Sequence, residues 1–304
     1  MMKKFKKVNI EISNICNLQC SFCPAVVRTK QLMDTGLFEK LIVQLIPMTE
    51  LVCFHLMGDP LVHPQLSDLI DICARYKMPI FFVTNGVLLK ESTENLLLHP
   101  IIQQVNFSLH SFFDNYPNKN PDPYLKKIFQ FTDKAFTQRP DLYINYRLWN
   151  LNDPKGTLTD NMAMLQKIRT HFNSEIPASI DVRKNKSVLL KNRLYLHYDT
   201  EFIWPSLEQE VLGVHGTCYG LKSHFGILAD GTVVPCCLDK EGKIPLGDSK
   251  VTSLNEILNS KKAQDILLGF KNRKLVDPLC QRCNYIDRFS KPAARIESGL
   301  AHSI

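Results

Sequence analysis

Up to about residue 185, short runs rich in β-branched and aromatic residues alternate with longer stretches whose apolar positions recur at helical spacing. The pattern predicts strands at Val8–Ile12, Leu51–Met57, Pro79–Thr84, Val105–Leu109, Leu142–Leu148 and Ser179–Val182. Helices are predicted between them near 36–46, 65–77, 91–98, 122–138 and 158–173. Strand and helix alternate about six times without a hairpin signal, which implies parallel strands joined by crossover helices. Right-handed crossovers curl such a sheet into a full or partial barrel. The expected fold class is α/β: a partial (β/α)6 TIM-like barrel.

Near residue 190 the alternation breaks. Leu194–Leu207 reads as an irregular connector with one short extended piece, and its His197, Asp199, Glu201 and Trp204 are candidates to cover a pocket. A different pattern follows. Phe225–Leu228 and Thr232–Pro235 flank Ala229-Asp230-Gly231, a hairpin turn. Ser253 and Glu256 form a capping box for a helix running to about Phe270, and Asp277-Pro278 then opens a loop. The expected division is a barrel over 1–190, a connector over 191–214, a small hairpin/helix domain over 215–290, and a poorly ordered tail over 291–304.

The composition adds constraints. The chain has 304 residues, 44% hydrophobic and 22% charged, enough for one large domain and a small appendage. No apolar run approaches the roughly 20 residues that cross a bilayer. The basic Met1–Lys7 precedes a run too short for a signal-peptide core, so the expected location is cytoplasmic, with no membrane partner. The net charge of +7 permits a nucleic-acid partner without arguing for one.

Ten cysteines in such a chain point to metal or redox chemistry rather than disulfides. Cys53 and Cys73 stand alone and read as buried core thiols. The other eight fall into two sets. Cys16, Cys20 and Cys23 sit within eight residues, directly after the first strand, where barrel catalytic groups gather. A fully ligated [4Fe–4S] cluster takes four thiolates. Three on one loop leave an iron with an open position; the rival is a zinc knuckle completed by a distant His.

The run Cys16-Asn-Leu-Gln-Cys20-Ser-Phe22-Cys23 resembles the CxxxCxΦC signature of radical S-adenosylmethionine (SAM) enzymes. The resemblance implies that the open iron chelates SAM, and that reductive cleavage of the sulfonium yields a 5′-deoxyadenosyl radical. The catalytic set it implies is Cys16, Cys20 and Cys23. Its SAM-binding candidates are Phe22, Gly58 and Asp59 of Met57-Gly-Asp-Pro, Thr84 and Asn85 of Thr-Asn-Gly, Ser108 and His110 ending the fourth strand, and Arg147 at the end of the fifth. Met57 and Asp59 depart from the family's Gly-Gly-Glu-Pro segment. Arg147 suits a carboxylate or phosphate, of SAM or of substrate.

Cys218, Cys236, Cys280 and Cys283 supply four thiolates, enough to cap a second [4Fe–4S] cluster fully. Zinc held by the same four is the rival. The arrangement resembles the Twitch domain, the shortened relative of the SPASM domain. Cys236 is preferred to Cys237 because the family's Gly-x-x-x-Pro-Cys pattern puts the ligand after Pro.

The resemblance implies an oxidative radical SAM enzyme acting on a small molecule or peptide, with an auxiliary cluster as electron acceptor. An external electron donor such as flavodoxin or ferredoxin is implied as well. Two alternatives are an RNA-modifying radical SAM enzyme and a non-catalytic zinc or iron–sulfur interaction protein.

Overall fold

Six parallel strands form the centre of the fold, as the alternation predicts, but the sheet they build is open at both ends. A computed structural model describes residues 5–152, 161–201 and 203–289. The first five strands in sheet order are β1 (Lys7–Ile10), β2 (Val52–Phe54), β3 (Ile80–Thr84), β4 (Ile102–Ser108) and β5 (Tyr143–Leu151). Helices α1 (Thr35–Leu45), α2 (Leu66–Arg75), α3 (Glu91–Leu97), α4 (His110–Asn115) and α5 (Asp122–Gln138) lie between them in sequence, and α6 (Met162–Phe172) follows β5.

One predicted strand is misplaced. Ser179–Val182 is not a strand: Asp181 turns the chain, its carbonyl accepting from the Lys184 and Asn185 N–H groups and its carboxylate from Arg183. The edge beside β5 is taken instead by β7 (Leu194–Thr200), paired in parallel with β5 and antiparallel with β6 (Ser187–Lys191). The segment expected to be an irregular connector therefore holds the sixth parallel strand, and the barrel runs past residue 190. Asn192, at φ 50°, makes the turn between β6 and β7.

The C-terminal hairpin forms as expected, from β8 (His224–Ile227) and β9 (Thr232–Val234). It does not stand apart. β8 pairs in parallel with β1, and β10 (Gly247–Asp248) extends the same sheet, giving the order β10-β9-β8-β1-β2-β3-β4-β5-β7-β6. The capping box at Ser253 and Glu256 is present, but the helix it starts, α7 (Leu254–Leu258), stops at Asn259. Ser260 caps a second helix, α8 (Lys261–Lys271). The first residues of the helix expected near 158, and the expected tail, lie outside the described residues. Among those described, no helix is long and apolar enough to cross a membrane.

Strand alternation explains where a site can form. Val8, Ile10, Val52, Phe54, Ile80, Phe82, Val105, Phe107, Ile144, Tyr146 and Leu148 are at most 1% exposed and belong to the main apolar core. Successive side chains point to opposite faces, so Lys7, Cys53, Phe81, Val83, Ser108, Arg147 and Trp149 face the other way, and all of these line one cavity. A parallel sheet usually carries apolar residues on both faces. The polar inner face of this one is accounted for by the hollow it lines.

Candidate active site

The cavity has a volume of about 790 Å3 and lies along the concave face of the sheet. Cys16, Cys20, Phe22, Cys23, Gly58, Asp59, Thr84, Asn85, Ser108, His110 and Arg147 all line it, as do Cys218, Cys236, Cys280 and Cys283. The two cysteine sets, some 200 residues apart in sequence, thus share one hollow.

The loop carrying the first set is held from three sides. Gly58, at φ +72°, is pressed against the backbone just before Cys16: a Cβ there would come within 3.0 Å of Ser13 and Ile15 backbone atoms. Only glycine meets both conditions. The Asp59 N–H donates to the Ile15 carbonyl at 2.9 Å. The Asp59 carboxylate, 2% exposed, accepts from Leu61 N–H, Asn85 N–H and the Thr84 hydroxyl at 2.7–3.0 Å. Asn85 then donates from Nδ2 to Asn17 Oδ1 at 2.9 Å and lies 3.7 Å from Cys16 Sγ. The Met-Gly-Asp-Pro and Thr-Asn-Gly segments are thereby locked to each other and to the cysteine loop.

The second support comes from α4, which the sequence did not single out. Asn115 Nδ2 donates to Cys20 Sγ at 3.1 Å, and its Oδ1 accepts from Gln19 N–H at 2.9 Å. Asp114 accepts from the Ser21 N–H at 2.7 Å. Asn115→Ala removes the bond to the Cys20 sulfur and loosens the loop. On the expectation that this loop holds a SAM-cleaving cluster, the change should lower SAM cleavage about 10-fold, the scale of outer-shell losses, and shift that cluster's midpoint to lower potential in an EPR-monitored redox titration. An unchanged potential and rate would show that this contact carries nothing.

The third support ties in the C-terminal region. Glu11, on the residue after β1, pairs with Arg28 through two 2.9 Å contacts and accepts from Met57 N–H and Ala229 N–H. Arg28 Nε donates to the Lys240 carbonyl at 2.7 Å. A single buried carboxylate thus joins the cysteine loop, the Met-Gly-Asp-Pro segment and the hairpin.

Phe22 packs on the buried His110 ring, with centroids 4.8 Å apart, and its carbonyl accepts from Trp204 Nε1 at 3.1 Å. Burial lowers the His110 pKa to about 4, so its ring is neutral near pH 7. His110 opens α4 rather than ending the fourth strand. Of the expected pocket-covering residues, Glu201 and Trp204 line the cavity; His197 accepts from Trp149 Nε1 at 2.9 Å, and Asp199 pairs with Lys186 and Arg288.

Both cysteine sets offer the soft sulfur ligands that an iron–sulfur cluster takes. Burial pushes the Cys23 pKa up to about 12, with Cys20 and Cys16 adding repulsion. Burial likewise raises Cys236, with Cys237, Cys218 and Cys280 adding to it, and lifts Cys283 to about 11. Thiols kept protonated by burial become ligands when a cation displaces their protons. Among the described residues, no three His, Cys, Asp or Glu side chains converge on one point. Among the described residues, Cys237 also lies on this cavity beside the second set, a position its neighbour Cys236 already suggested.

Residues 10–153 match the radical SAM superfamily, and residues 218–284 match an iron–sulfur cluster-binding domain, SPASM. The chain carries a radical SAM domain. That domain implies SAM and a [4Fe–4S] cluster, and the SPASM match implies auxiliary iron–sulfur chemistry. The chain is similar to a GTP 3′,8-cyclase of Chlorobaculum tepidum, 27% identical over 202 residues, covering 65% of this chain and 56% of the relative. It is also similar to an S-adenosyl-L-methionine-dependent 2-deoxy-scyllo-inosamine dehydrogenase of Niallia circulans, 29% identical over 119 residues, covering 36% of this chain and 47% of the relative. The chain thus spans about half the length of these two curated relatives. Among solved structures, BtrN in complex with AdoMet and 2-DOIA superposes with TM-score 0.56 at 17% identity, covering 93% of this chain and 94% of BtrN. Streptococcus suis SuiB bound to S-adenosylmethionine superposes with TM-score 0.62 at 17% identity, covering 95% of this chain and 75% of SuiB. At that identity the likenesses establish the radical SAM fold, a partial barrel with an open sheet.

Proposed function

We propose that this chain is an oxidative radical SAM enzyme acting on a small molecule. The observation that carries the reading is the single cavity lined by both cysteine sets. In this reading Cys16, Cys20 and Cys23 hold the SAM-binding cluster, and Cys218, Cys236, Cys280 and Cys283 hold a fully thiolate-capped auxiliary cluster. Bound there, these groups and SAM supply a 5′-deoxyadenosyl radical that takes a hydrogen atom from substrate, and an acceptor for the electron released as the substrate radical loses a proton.

The protein's own contribution is placement. Phe22, Gly58, Thr84, Asn85, Ser108 and neutral His110 form the shelf for SAM beside the first cysteine set. Asp59 keeps that shelf rigid, because its carboxylate is already engaged by three protein donors. Trp204, bonded to the Phe22 carbonyl, closes the side toward the auxiliary set and excludes water. A cavity of about 790 Å3 that must also take SAM leaves room for a small molecule rather than a folded chain. Likeness to the inosamine dehydrogenase supports oxidation as the reaction class. An external one-electron donor such as flavodoxin or ferredoxin completes the cycle.

Anaerobic reconstitution tests the reading. The expected result is about eight iron per chain with SAM cleaved to 5′-deoxyadenosine on reduction. Colourless protein that retains zinc and leaves SAM intact would sink it.

A further inference from the structure

Below the SAM shelf the cavity has a second region, and its chemistry differs from that of the mouth. Sheet register sets the depth. Asn9 of β1 aligns with Cys53 of β2, Cys53 with Phe81 of β3, and Thr84 lies three residues farther along β3. At about 3.3 Å per residue, Cys53 and Phe81 sit roughly 10 Å below the Thr84 level. Lys7 is the first residue of β1 and also belongs to this floor.

Arg147 reaches down into it. The side chain is 8% exposed, and its guanidinium stacks 5.6 Å from the Phe81 ring and 4.5 Å from the Trp149 ring. The Lys7 ammonium lies 5.8 Å from the same Phe81 ring. Among the described residues, neither cation has a hydrogen bond or an ion pair from its charged group. Burial draws the Arg147 pKa down to about 10, with Cys53 and Cys237 the groups opposing that fall. Cys53 provides no anion near neutral pH, because burial pushes its thiol up to about 12.

The floor's other polar groups are neutral donors. Burial, reinforced by Arg147 and Lys7, lowers the His55 pKa to about 3, and burial with Lys7 lowers His224 to about 4. The acidic residues lining the cavity do not neutralise the floor. Asp59 is engaged by Leu61, Thr84 and Asn85, Asp239 accepts from the Lys243 and Ile244 N–H groups, and Glu201 pairs with neither cation. A deeply buried guanidinium without an ion-pair partner is an unfavourable arrangement unless an anion joins it.

We propose that this floor is a substrate subsite in which Arg147 and Lys7 bind a phosphate monoester. The assignment rests on the reading of the cavity as a radical SAM substrate pocket. A phosphate monoester carries nearly two negative charges near neutral pH, which matches the two cations. The planar guanidinium, its orientation set by the Phe81 and Trp149 rings, offers paired N–H donors to phosphate oxygens. Uncharged His55 lies near both cations and uncharged His224 near Lys7. The group anchored at this depth leaves the rest of the substrate pointing up toward the SAM shelf, which makes the floor a determinant of specificity.

The test is calorimetric titration of inorganic phosphate into the reconstituted, SAM-loaded full chain, with acetate as the comparison anion. Saturable phosphate binding, tighter than acetate, is expected. Lys7→Gln should weaken it about 10-fold, the loss of one charge-assisted contact, and Arg147→Gln should abolish it. Arg147→Lys, which keeps the charge without the fork, should give intermediate affinity and guards against a variant that fails to fold. Failure of wild type to bind phosphate, acetate binding equally well, or displacement of phosphate by SAM would each overturn the assignment. 5′-Deoxyadenosine formation is read on the same preparation. If it occurs without phosphate binding, the floor assignment alone fails; if phosphate binds and SAM is not cleaved, the radical SAM reading fails and the anion site stands.

Discussion

Replacing Cys16, Cys20 or Cys23 by Ala is expected to reduce 5′-deoxyadenosine release to background, a loss of more than about 100-fold, beyond the upper end for outer-shell changes. The three thiols stand on one short loop clamped by Gly58, Asn85 and Asn115. With three protein ligands for a cubane, no spare thiolate stands on that loop to replace a missing one. Cys280→Ala should behave differently. Its thiol belongs to the second set, so some SAM cleavage should persist while turnover of substrate is lost. The check is anaerobic assay of both variants with circular dichroism to establish that each is folded. Equal loss of cleavage in two folded variants would refute the division of roles.

Asp59→Ala should be the most destabilising change at the site that removes no cluster ligand. The buried carboxylate is acceptor for the Leu61 and Asn85 N–H groups and the Thr84 hydroxyl. Truncation leaves those donors buried without an acceptor, at about 1–3 kcal/mol for each unsatisfied group. Because the segment can relax and admit water, the net loss is expected to be on the order of 3–5 kcal/mol. Urea unfolding of the anaerobic protein measures it. Asp59→Asn, which retains one acceptor oxygen, should fall between. A loss under about 1 kcal/mol for the alanine variant would mean that the carboxylate is no bracket and stands available to SAM.

Much of the central barrel was legible because its signals are local. Runs such as Ile80–Thr84 and the amphipathic stretch 122–138 carry their periodicity within a few residues, and both elements form where the pattern places them. The cysteine spacings are local as well, and they led to the radical SAM domain that the comparisons matched. The misread elements depended on distant partners. Ser179–Val182 has strand-like alternation, yet the edge of β5 is filled by Leu194–Thr200, whose longer alternation was hidden among polar residues. His197 and Asp199, bonded to Trp149 and to Lys186 and Arg288, looked like connector chemistry because polar side chains break the apolar run expected of a parallel strand. In the same way Asn259-Ser260 interrupts what the apolar recurrence joined into one helix, because Ser260 caps a new helix.

The sequence by itself determined the α/β alternation, the C-terminal hairpin and the two cysteine sets, since each is written in spacings of a few residues. Tertiary structure decided that the hairpin docks on β1 and extends the barrel sheet, that both cysteine sets open on one cavity, and that Arg147 and Lys7 each reach the Phe81 ring. Those outcomes follow from strand order and register, which are fixed by how distant apolar faces pack and pair and leave no short-range signature in the chain.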